Sequence, residues 1–303
     1  MKVNILYKTS DAPFGGGNQF LRALKKEFLR LGVYSDLPNA DVFLFNSHHD
    51  LSKVNQIKQR FPDKEFIHRV DGPMRLYNNM SDNRDLIVYQ ANNNLATATV
   101  FQSQWSRTAN IKLGLSPTEP TAVIHNAVDS EIFYSNSYYM PEPNKKARII
   151  SATFSSNIRK GFEAYKFLDD NLDFTKFEYV FAGNSNVEFK NIKRLGCLTS
   201  EKLANEMRAS DIYITASEND PCSNSLLEAM ACGLRVLALK SGGHPELINN
   251  DGNTFANQDE LLKKLKDYNS LPNSRQETTM KEVAVLYLEF FKGVLEHKNT
   301  RLN

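Results

Sequence analysis

The chain of 303 residues has little of what marks secreted, membrane-spanning or nucleic-acid-binding proteins. Its three cysteines are an odd and sparse set, which predicts a reducing compartment rather than a disulfide framework. The sequence has no signal-peptide pattern and no apolar run of roughly 18 residues, so we expect a cytoplasmic protein whose membrane contact is at most weak and peripheral. Lys and Arg total 37 against 35 Asp and Glu, a balance that excludes nucleic-acid binding through bulk charge.

What the sequence does have is a regular alternation of predicted strands and helices. Hydrophobic residues make up 41% of the chain, enough for two cores. The apolar run Val3–Lys8 predicts a strand, and apolar residues spaced by about 3.6 positions from Phe20 to Leu31 predict the helix after it. Further predicted strands are Val42–Phe45, Glu65–Val70, Thr99–Gln102, Thr121–His125, Arg148–Thr153, Glu178–Ala182, Ile212–Thr215 and Val236–Leu239. This alternation is typical of parallel sheets covered by helices on both faces.

The segment Tyr134–Lys146 interrupts the alternation, because it is rich in Pro and Asn and has no apolar period. We interpret it as a linker between two Rossmann-like domains. The predicted organisation is a first domain at 1–140, a second at 141–275, and a terminal helical segment at 276–303.

The most informative segment begins at Thr215. It predicts the end of a strand, a polar loop and a helix that starts near Ser223, where free backbone N–H groups favour an anion or the oxygens of a sugar next to a diphosphate. Asp220 and Glu228 are eight positions apart, so the loop can bring the two carboxylates into one cleft. Two spaced carboxylates accept hydrogen bonds from pairs of hydroxyls, as on ribose and hexose rings. Glu218 competes with Asp220 for one of these roles.

Two further segments carry candidate phosphate contacts. Arg159 and Lys160 stand before Gly161 at a predicted helix start, where an Arg fork and a Lys point charge can hold a diphosphate. The glycine triplet 15–17 follows the first strand, and its backbone can approach a ligand closely. The triplet is not the G-x-G-x-x-G fingerprint, which speaks against a Rossmann dehydrogenase.

Other candidates lie at the carboxyl ends of predicted strands, where ligands bind in doubly wound sheets. His68 and Asp71 follow one such strand, and Gly183 and Asn184 follow another. The sequence has no clear Asp-x-Asp metal motif, so we expect no metal cofactor.

Taken in order, three segments resemble a known family. Asp220-x7-Glu228, the helical Ala229–Gly233 (AMACG) and the turn Ser241–Glu246 (SGGHPE) are similar to the signature of retaining glycosyltransferases of family four, which have the GT-B fold. That family usually has Glu-x7-Glu, so Asp220 is a departure. The resemblance implies an α/β protein of two doubly wound Rossmann-like domains that face each other across a cleft, with the terminal helix crossing back to the first domain.

The resemblance also implies an activity. A sugar would pass from a nucleotide sugar (UDP-, GDP- or ADP-sugar) to a hydroxyl of a glycan, lipid-linked or small-molecule acceptor. The anomeric configuration would be retained, and no metal or other cofactor would take part. Biosynthesis of a glycan or lipopolysaccharide is the implied context, with the first domain reading the acceptor.

By the same resemblance, Glu228 would hold the nucleotide ribose and Asp220 the hydroxyls of the sugar. Lys160 and Arg159 would stabilise the diphosphate, and His68 would contact the donor sugar. These five residues form the predicted catalytic set. The predicted donor-binding residues are Gly15, Gly16, Gly17, Gly183, Asn184, Cys222, Ser223, Asn224 and Ser225.

Two alternatives stay open. A sugar-nucleotide epimerase of GT-B type would alter the donor without any acceptor. A non-catalytic nucleotide-sugar-binding module is suggested by two departures from the family pattern, Asp220 and Ser155, the second of which stands where the family usually has Arg.

Overall fold

The structure is a computed structural model that describes residues 1–10, 16–135, 145–272, 274–276 and 278–302, with side chains up to residue 298. These residues form two compact units. Unit 1 takes its described residues from 1–9, 17–126 and 278–302, and unit 2 takes the others. Most of the predicted linker and Gly15 lie outside the described residues.

Both units are built from alternating strands and helices. The strands are β1 (Val3–Leu6), β2 (Val42–Asn46), β3 (Glu65–Val70), β4 (Ala98–Phe101), β5 (Thr121–Val123), β6 (Ala147–Thr153), β7 (Phe177–Gly183), β8 (Lys193–Gly196), β9 (Ile212–Thr215), β10 (Arg235–Leu239) and β11 (Thr254–Phe255). The α-helices are α1 (Gly16–Arg30), α2 (Leu51–Arg60), α3 (Met74–Tyr77), α4 (Arg84–Leu95), α5 (Gln104–Lys112), α6 (Phe162–Asn171), α7 (Ser200–Arg208), α8 (Asn224–Ala231), α9 (His244–Ile248), α10 (Gln258–Lys266) and α11 (Met280–Leu302). Short 3₁₀ turns occupy Ile158–Lys160 and Tyr268–Ser270.

The sheet of unit 1 reverses its winding direction beside β1. Its strands are parallel and run in the order β1-β2-β3-β4-β5. On the other side of β1, Tyr34 forms an isolated parallel bridge with Val3. The backbone N–H of Val3 donates to the carbonyl of Val33, and that of Ser35 donates to the carbonyl of Val3, each at 2.9 Å. The chain therefore leaves β1 on one side and returns on the other, which creates a switch point at the carboxyl ends of β1 and β2.

The terminal helix α11 belongs to unit 1. Its Tyr287 and Phe291 are fully buried, with ring centroids 6.2 and 6.3 Å from those of Phe20 and Phe28 of α1. The apolar positions of α11 therefore pack against an apolar stripe of α1, which explains why a helix so distant in sequence joins this core.

The sheet of unit 2 has six parallel strands in the order β11-β10-β9-β6-β7-β8. Successive residues of β6 serve the two faces, because Ile149 and Ile150, both fully buried, belong to separate apolar clusters. The chain moves from β6 to β7 on one side and later returns to β9 on the other side of β6. The switch point of unit 2 therefore lies at the carboxyl ends of β6 and β9.

Candidate functional site

The switch point of unit 2 holds an ion pair between two predicted catalytic residues. Lys160 follows β6 and Asp220 follows β9, and Lys160 Nζ lies 3.0 Å from Asp220 Oδ2. Each side chain is 13% exposed. The other carboxylate oxygen, Oδ1, accepts a hydrogen bond from the backbone N–H of Cys222 at 3.3 Å. The structure thus brings the predicted cation and the predicted carboxylate together at the edge of the sheet.

The two loops that carry this ion pair are fastened to each other. Gly161 has φ +89°, and a Cβ there would overlap the backbone of Ala216, so only glycine permits this approach. The backbone N–H of Glu218 donates to the carbonyl of Arg159 at 2.8 Å. Arg159 Nη1 also lies 3.4 Å from Glu218 Oε2 at the surface. Asp220, rather than its competitor Glu218, therefore pairs with Lys160.

A second turn supports Asp220 from the other side. The N–H of Gly243 donates to the Asp220 carbonyl at 2.8 Å, and the N–H of Asn219 donates to Ser241 Oγ at 3.0 Å. Gly242 has φ +62°, and a Cβ there would collide with the Asp220 backbone. The consecutive glycines of the SGGHPE turn thus allow the turn to lie directly on the carboxylate loop.

The amino end of α8 lies in the same loop region. Ser223 precedes the helix in an extended conformation, and its side chain makes no capping hydrogen bond. Ser225 Oγ instead accepts a hydrogen bond from the Tyr213 hydroxyl at 2.7 Å. Gly16 is part of unit 2, and a Cβ at this position would collide with the side chain of Asn224. The first turn has no acidic residue, so its backbone N–H groups are suited to an anion.

Glu228 lies one turn further along α8 and is 7% exposed. Burial raises the pKa of its carboxyl to about 7. The pKa of Asp220 moves in the opposite direction. Burial alone would raise it, but the charges of Lys160 and His244 and the hydrogen bonds to the carboxylate hold it below its ordinary value. The site therefore combines a firmly ionised carboxylate with one that titrates near neutral pH.

His244 is a site residue that the sequence analysis did not select. It is fully buried at the start of α9, and its Nδ1–H donates to the carbonyl of Leu239 at 2.9 Å. Nε2 is buried and has no hydrogen-bond partner among the described residues. Burial lowers the pKa of His244, with a smaller lowering by Lys160, while Asp220 and the bond to Leu239 raise it. The available signal was an ionisable residue between the glycine pair and Pro245.

Three other predicted donor-binding residues have their side-chain or backbone positions set by packing. Gly183 has φ +115°, and a Cβ would overlap the Thr153 carbonyl. Asn184 donates from Nδ2 to the Phe154 carbonyl at 2.8 Å, so its side chain holds the loop after β6. The side chain of Cys222 lies in an apolar core cluster. Any contact of Cys222 with a ligand therefore has to come from its backbone.

His68 does not have the geometry expected of a residue that contacts a sugar. It is fully buried in unit 1, its Nε2–H donates to the Ser47 carbonyl at 3.0 Å, and its Nδ1 accepts from Asn92 at 3.2 Å. Burial lowers its pKa to about 4, so the ring is neutral. Asp71 likewise pairs with the buried Arg69 at 3.0 Å. The sequence placed His68 at the end of a strand, but the side chain points into the core and organises it.

The switch point of unit 1 has a different set of polar and aromatic side chains. The ring of His49 lies 5.3 Å from that of Tyr7 and 4.3 Å from that of His48. Ser47 and Asp50 have φ values of 48° and 53°, a strained conformation for residues other than glycine. His48 Nδ1 is buried without a hydrogen-bond partner among the described residues. Gly17 of this unit has open space around its Cβ position.

The described residues contain neither a candidate metal cluster nor a helix able to span a membrane. No group of three or more His, Cys, Asp or Glu side chains in that part of the chain is arranged to hold a metal ion. Within the same residues, no helix combines the length and apolar character needed to cross a bilayer.

Comparison with known proteins finds a family match within unit 2. Residues 163–268 match the family described as Glycosyl transferases group 1. A stretch of 69 residues, 23% of this chain, is 32% identical to the phosphatidylinositol N-acetylglucosaminyltransferase GPI3 subunit of Saccharomyces cerevisiae. The alignment spans 15% of that yeast protein. The matched family segment contains Asp220, Glu228 and His244, and begins two residues after Gly161.

Two solved structures show the fold. Sucrose-phosphate synthase from Thermosynechococcus elongatus is similar with a TM-score of 0.76 and 13% identity, over 98% of this chain and 100% of that one. The Anabaena protein HepE, solved with UDP-glucose, is similar with a TM-score of 0.66 and 15% identity, over 99% and 100%. The solved structures confirm the predicted α/β fold of GT-B type, and the family match shows similarity to glycosyltransferases over residues 163–268 of unit 2. Family four, retention and the site roles stay predictions.

Proposed function

We propose that this chain is a retaining, metal-independent glycosyltransferase that moves a sugar from a nucleotide-diphosphate sugar to an acceptor hydroxyl. The observation that carries the proposal is the arrangement at the switch point of unit 2. Lys160, Asp220 and the amino end of α8 lie there together, and Glu228 follows on the same helix. This is a site for an anion flanked by hydroxyls, which is what a nucleotide sugar presents to a protein.

In this proposal the diphosphate binds at the amino end of α8 and at the cations Lys160 and Arg159. The bond between the anomeric carbon and the diphosphate oxygen breaks, and negative charge develops on the leaving diphosphate. A lysine and a helix amino end placed there stabilise that charge. The acceptor oxygen forms the new bond on the same face, and its proton passes to the leaving phosphate oxygen.

The two carboxylates take the hydroxyl groups. Asp220 stays ionised, so it accepts hydrogen bonds from the sugar hydroxyls and orients the anomeric carbon. Glu228 is buried and holds the ribose. Burial raises its pKa to about 7 because the ionised form loses solvation. Hydrogen bonds from bound hydroxyls replace that solvation and so favour the ionised form.

Acceptor recognition falls to unit 1 in this proposal. The cluster of Tyr7, His48 and His49 lies at a switch point, where doubly wound sheets bind ligands. Aromatic faces and imidazole nitrogens suit a hydroxyl-rich acceptor. The substitution His49→Ala is expected to raise the KM for the acceptor and to leave the Kd for the donor unchanged.

The first experiment is a thermal-shift screen with UDP-, GDP- and ADP-glucose, followed by assays of donor turnover with and without EDTA. We expect stabilisation by one donor and turnover that EDTA does not affect. Glu228→Gln should remove turnover from a folded protein. Glu188→Gln, at a carboxylate with 92% side-chain exposure in the same unit, is the matched control. NMR of the first product formed reads the anomeric configuration.

The same assays separate the alternatives. A donor converted to an epimer without acceptor would indicate the epimerase, and tight donor binding without turnover or hydrolysis would indicate a binding module. Absence of any donor binding would overturn the proposal.

A further inference from the structure

We propose that His244 is a positioning residue that becomes the second counter-ion of Asp220, by taking up a proton at Nε2 when a donor diphosphate draws Lys160 away. The inference rests on the proposed function, because it requires a diphosphate at the site. It assigns to His244 a role that acts through Asp220 and involves no contact with the substrate.

The imidazole is held in one tautomer by the backbone. Its Nδ1–H donates to the Leu239 carbonyl at 2.9 Å, so the neutral ring carries its lone pair on Nε2. Nε2 is buried and has no hydrogen-bond partner among the described residues. A buried acceptor without a partner is rare and is costly for the fold. Protonation would convert this nitrogen into a donor.

The charged groups that act on this ring come from both loops of the site. Asp220, after β9, favours the protonated ring, and Lys160, after β6, disfavours it. His244 in turn favours the ionised form of Asp220. The N–H of Gly243, the residue before His244, donates to the Asp220 carbonyl at 2.8 Å. The histidine is therefore both fastened to the carboxylate loop and electrostatically coupled to the carboxylate.

Donor binding changes the balance among these three groups. In the structure Lys160 neutralises Asp220 across 3.0 Å, and both are nearly buried. A lysine that turns toward a diphosphate leaves a buried carboxylate without its cation, which is a costly state. The added anion and the departed cation both raise the proton affinity of His244. One proton from the solvent then restores the charge balance, and Asp220 stays ionised to hold the sugar.

The consequence is that His244 takes up a proton when the donor binds. Because the histidine of the bound state holds its proton more tightly, its contribution makes donor affinity increase as the pH falls. The increase reaches at most about tenfold per pH unit, between the pKa values of free and bound His244. Glu228, on α8, has a pKa of about 7, and bound hydroxyls favour its ionised form, so it contributes a proton release that is separated by comparison between variants.

The test is isothermal titration calorimetry of the full chain with the donor that gives the largest thermal shift among UDP-, GDP- and ADP-glucose. Titrations at one pH near neutrality, in buffers of different ionisation enthalpy, give the number of protons taken up. Two variants remove the titrating nitrogen. His244→Asn keeps a donor for the Leu239 carbonyl, and His244→Gln keeps a polar atom near Nε2. His297→Asn, on α11 of unit 1, is the control histidine.

We expect the wild-type chain and His297→Asn to show the same net proton exchange on donor binding. We expect the folded His244 variants to bind the donor with less proton uptake, or more release, by the amount of the histidine contribution, and to lose the part of the pH dependence that strengthens binding as the pH falls. Equal net proton exchange in wild type and His244 variants overturns the inference and leaves the proposed function intact. Absence of donor binding in the wild type overturns both.

Discussion

Glu228 gives a quantitative test of the site, because a buried carboxylate should destabilise the empty protein. Burial raises its pKa from 4.5 to about 7. Each tenfold change in proton affinity corresponds to about 1.4 kcal/mol, so the ionised form in the folded chain is disfavoured by about 3 kcal/mol. The isosteric substitution Glu228→Gln removes the charge and keeps the volume. It should therefore stabilise the protein where wild-type Glu228 is ionised.

The sign of the stability difference between Glu228→Gln and the wild type follows from the pKa of Glu228, which is higher in the folded chain than in the unfolded chain. Below pH 4.5 the carboxyl is protonated in both the folded and the unfolded chain, and the variant should have about wild-type stability. Between 4.5 and about 7 only the unfolded chain releases the proton, so wild-type stability falls relative to the variant. Above that window the difference should stay constant at about 3 kcal/mol.

The measurement has to report on unit 2. The single tryptophan, Trp105, lies on α5 of unit 1, so its fluorescence follows the wrong unit. Hydrogen exchange at the amides of β9 and β10, from acid to mildly alkaline pH, gives the free energy of opening in the right place. Glu188→Gln serves as the exposed control. A stability difference for Glu228→Gln that is the same at both ends of the pH range would refute the reasoning.

Three further outcomes are expected. Asp220→Asn should lower the stability of unit 2 by about 3 kcal/mol, because Lys160 keeps a nearly buried charge without its partner. The added substitution Lys160→Met should recover part of this loss, and a double-mutant cycle followed by hydrogen exchange measures the recovery. Gly183→Ala should lower the free energy of unfolding by more than about 1 kcal/mol, as measured with urea, because the new Cβ would overlap the Thr153 carbonyl. Gly114→Ala should cost less, since φ is also positive there but the Cβ meets open space. Because His68 is buried and neutral, the free energy of unfolding of unit 1 should fall by up to about 3 kcal/mol as the pH falls from 6.5 to about 4. His68→Gln should remove this pH dependence, as measured by unfolding followed by tryptophan fluorescence.

The elements that bury an apolar face were predictable from the sequence. Glu65–Val70 and Ile212–Thr215 have the predicted bounds, and each lies inside a sheet with every residue buried. The strands at the edges of the sheet of unit 2 were not predictable. Lys193–Gly196 is mostly exposed and joins the sheet through backbone hydrogen bonds, and Thr254–Phe255 is too short to show a period. The bridge at Tyr34, which makes unit 1 doubly wound, is likewise a backbone feature.

The site was predictable as far as strand topology determines it. Lys160 and Asp220 follow strands that become neighbours at a switch point, so their meeting follows from the order of the strands. Side-chain direction is set instead by packing that one sequence does not reveal. His68 lies in the carboxyl half of β3 in unit 1, and its ring stacks on that of Phe45 at 4.3 Å within the core. His244 was unremarkable in a turn motif, and only its burial beside two charges singles it out.

The polar groups of unit 2 are better explained by a ligand than by stability. Glu228 is buried with a raised pKa, and Nε2 of His244 is buried without a partner among the described residues. Both raise the free energy of the empty fold, since cores satisfy buried polar groups or exclude them. A ligand that supplies hydroxyls to Glu228 and negative charge near Lys160 would relieve both penalties at once. The binding free energy of such a donor would therefore include relief of the two penalties that buried Glu228 and the buried Nε2 of His244 impose on the unliganded chain.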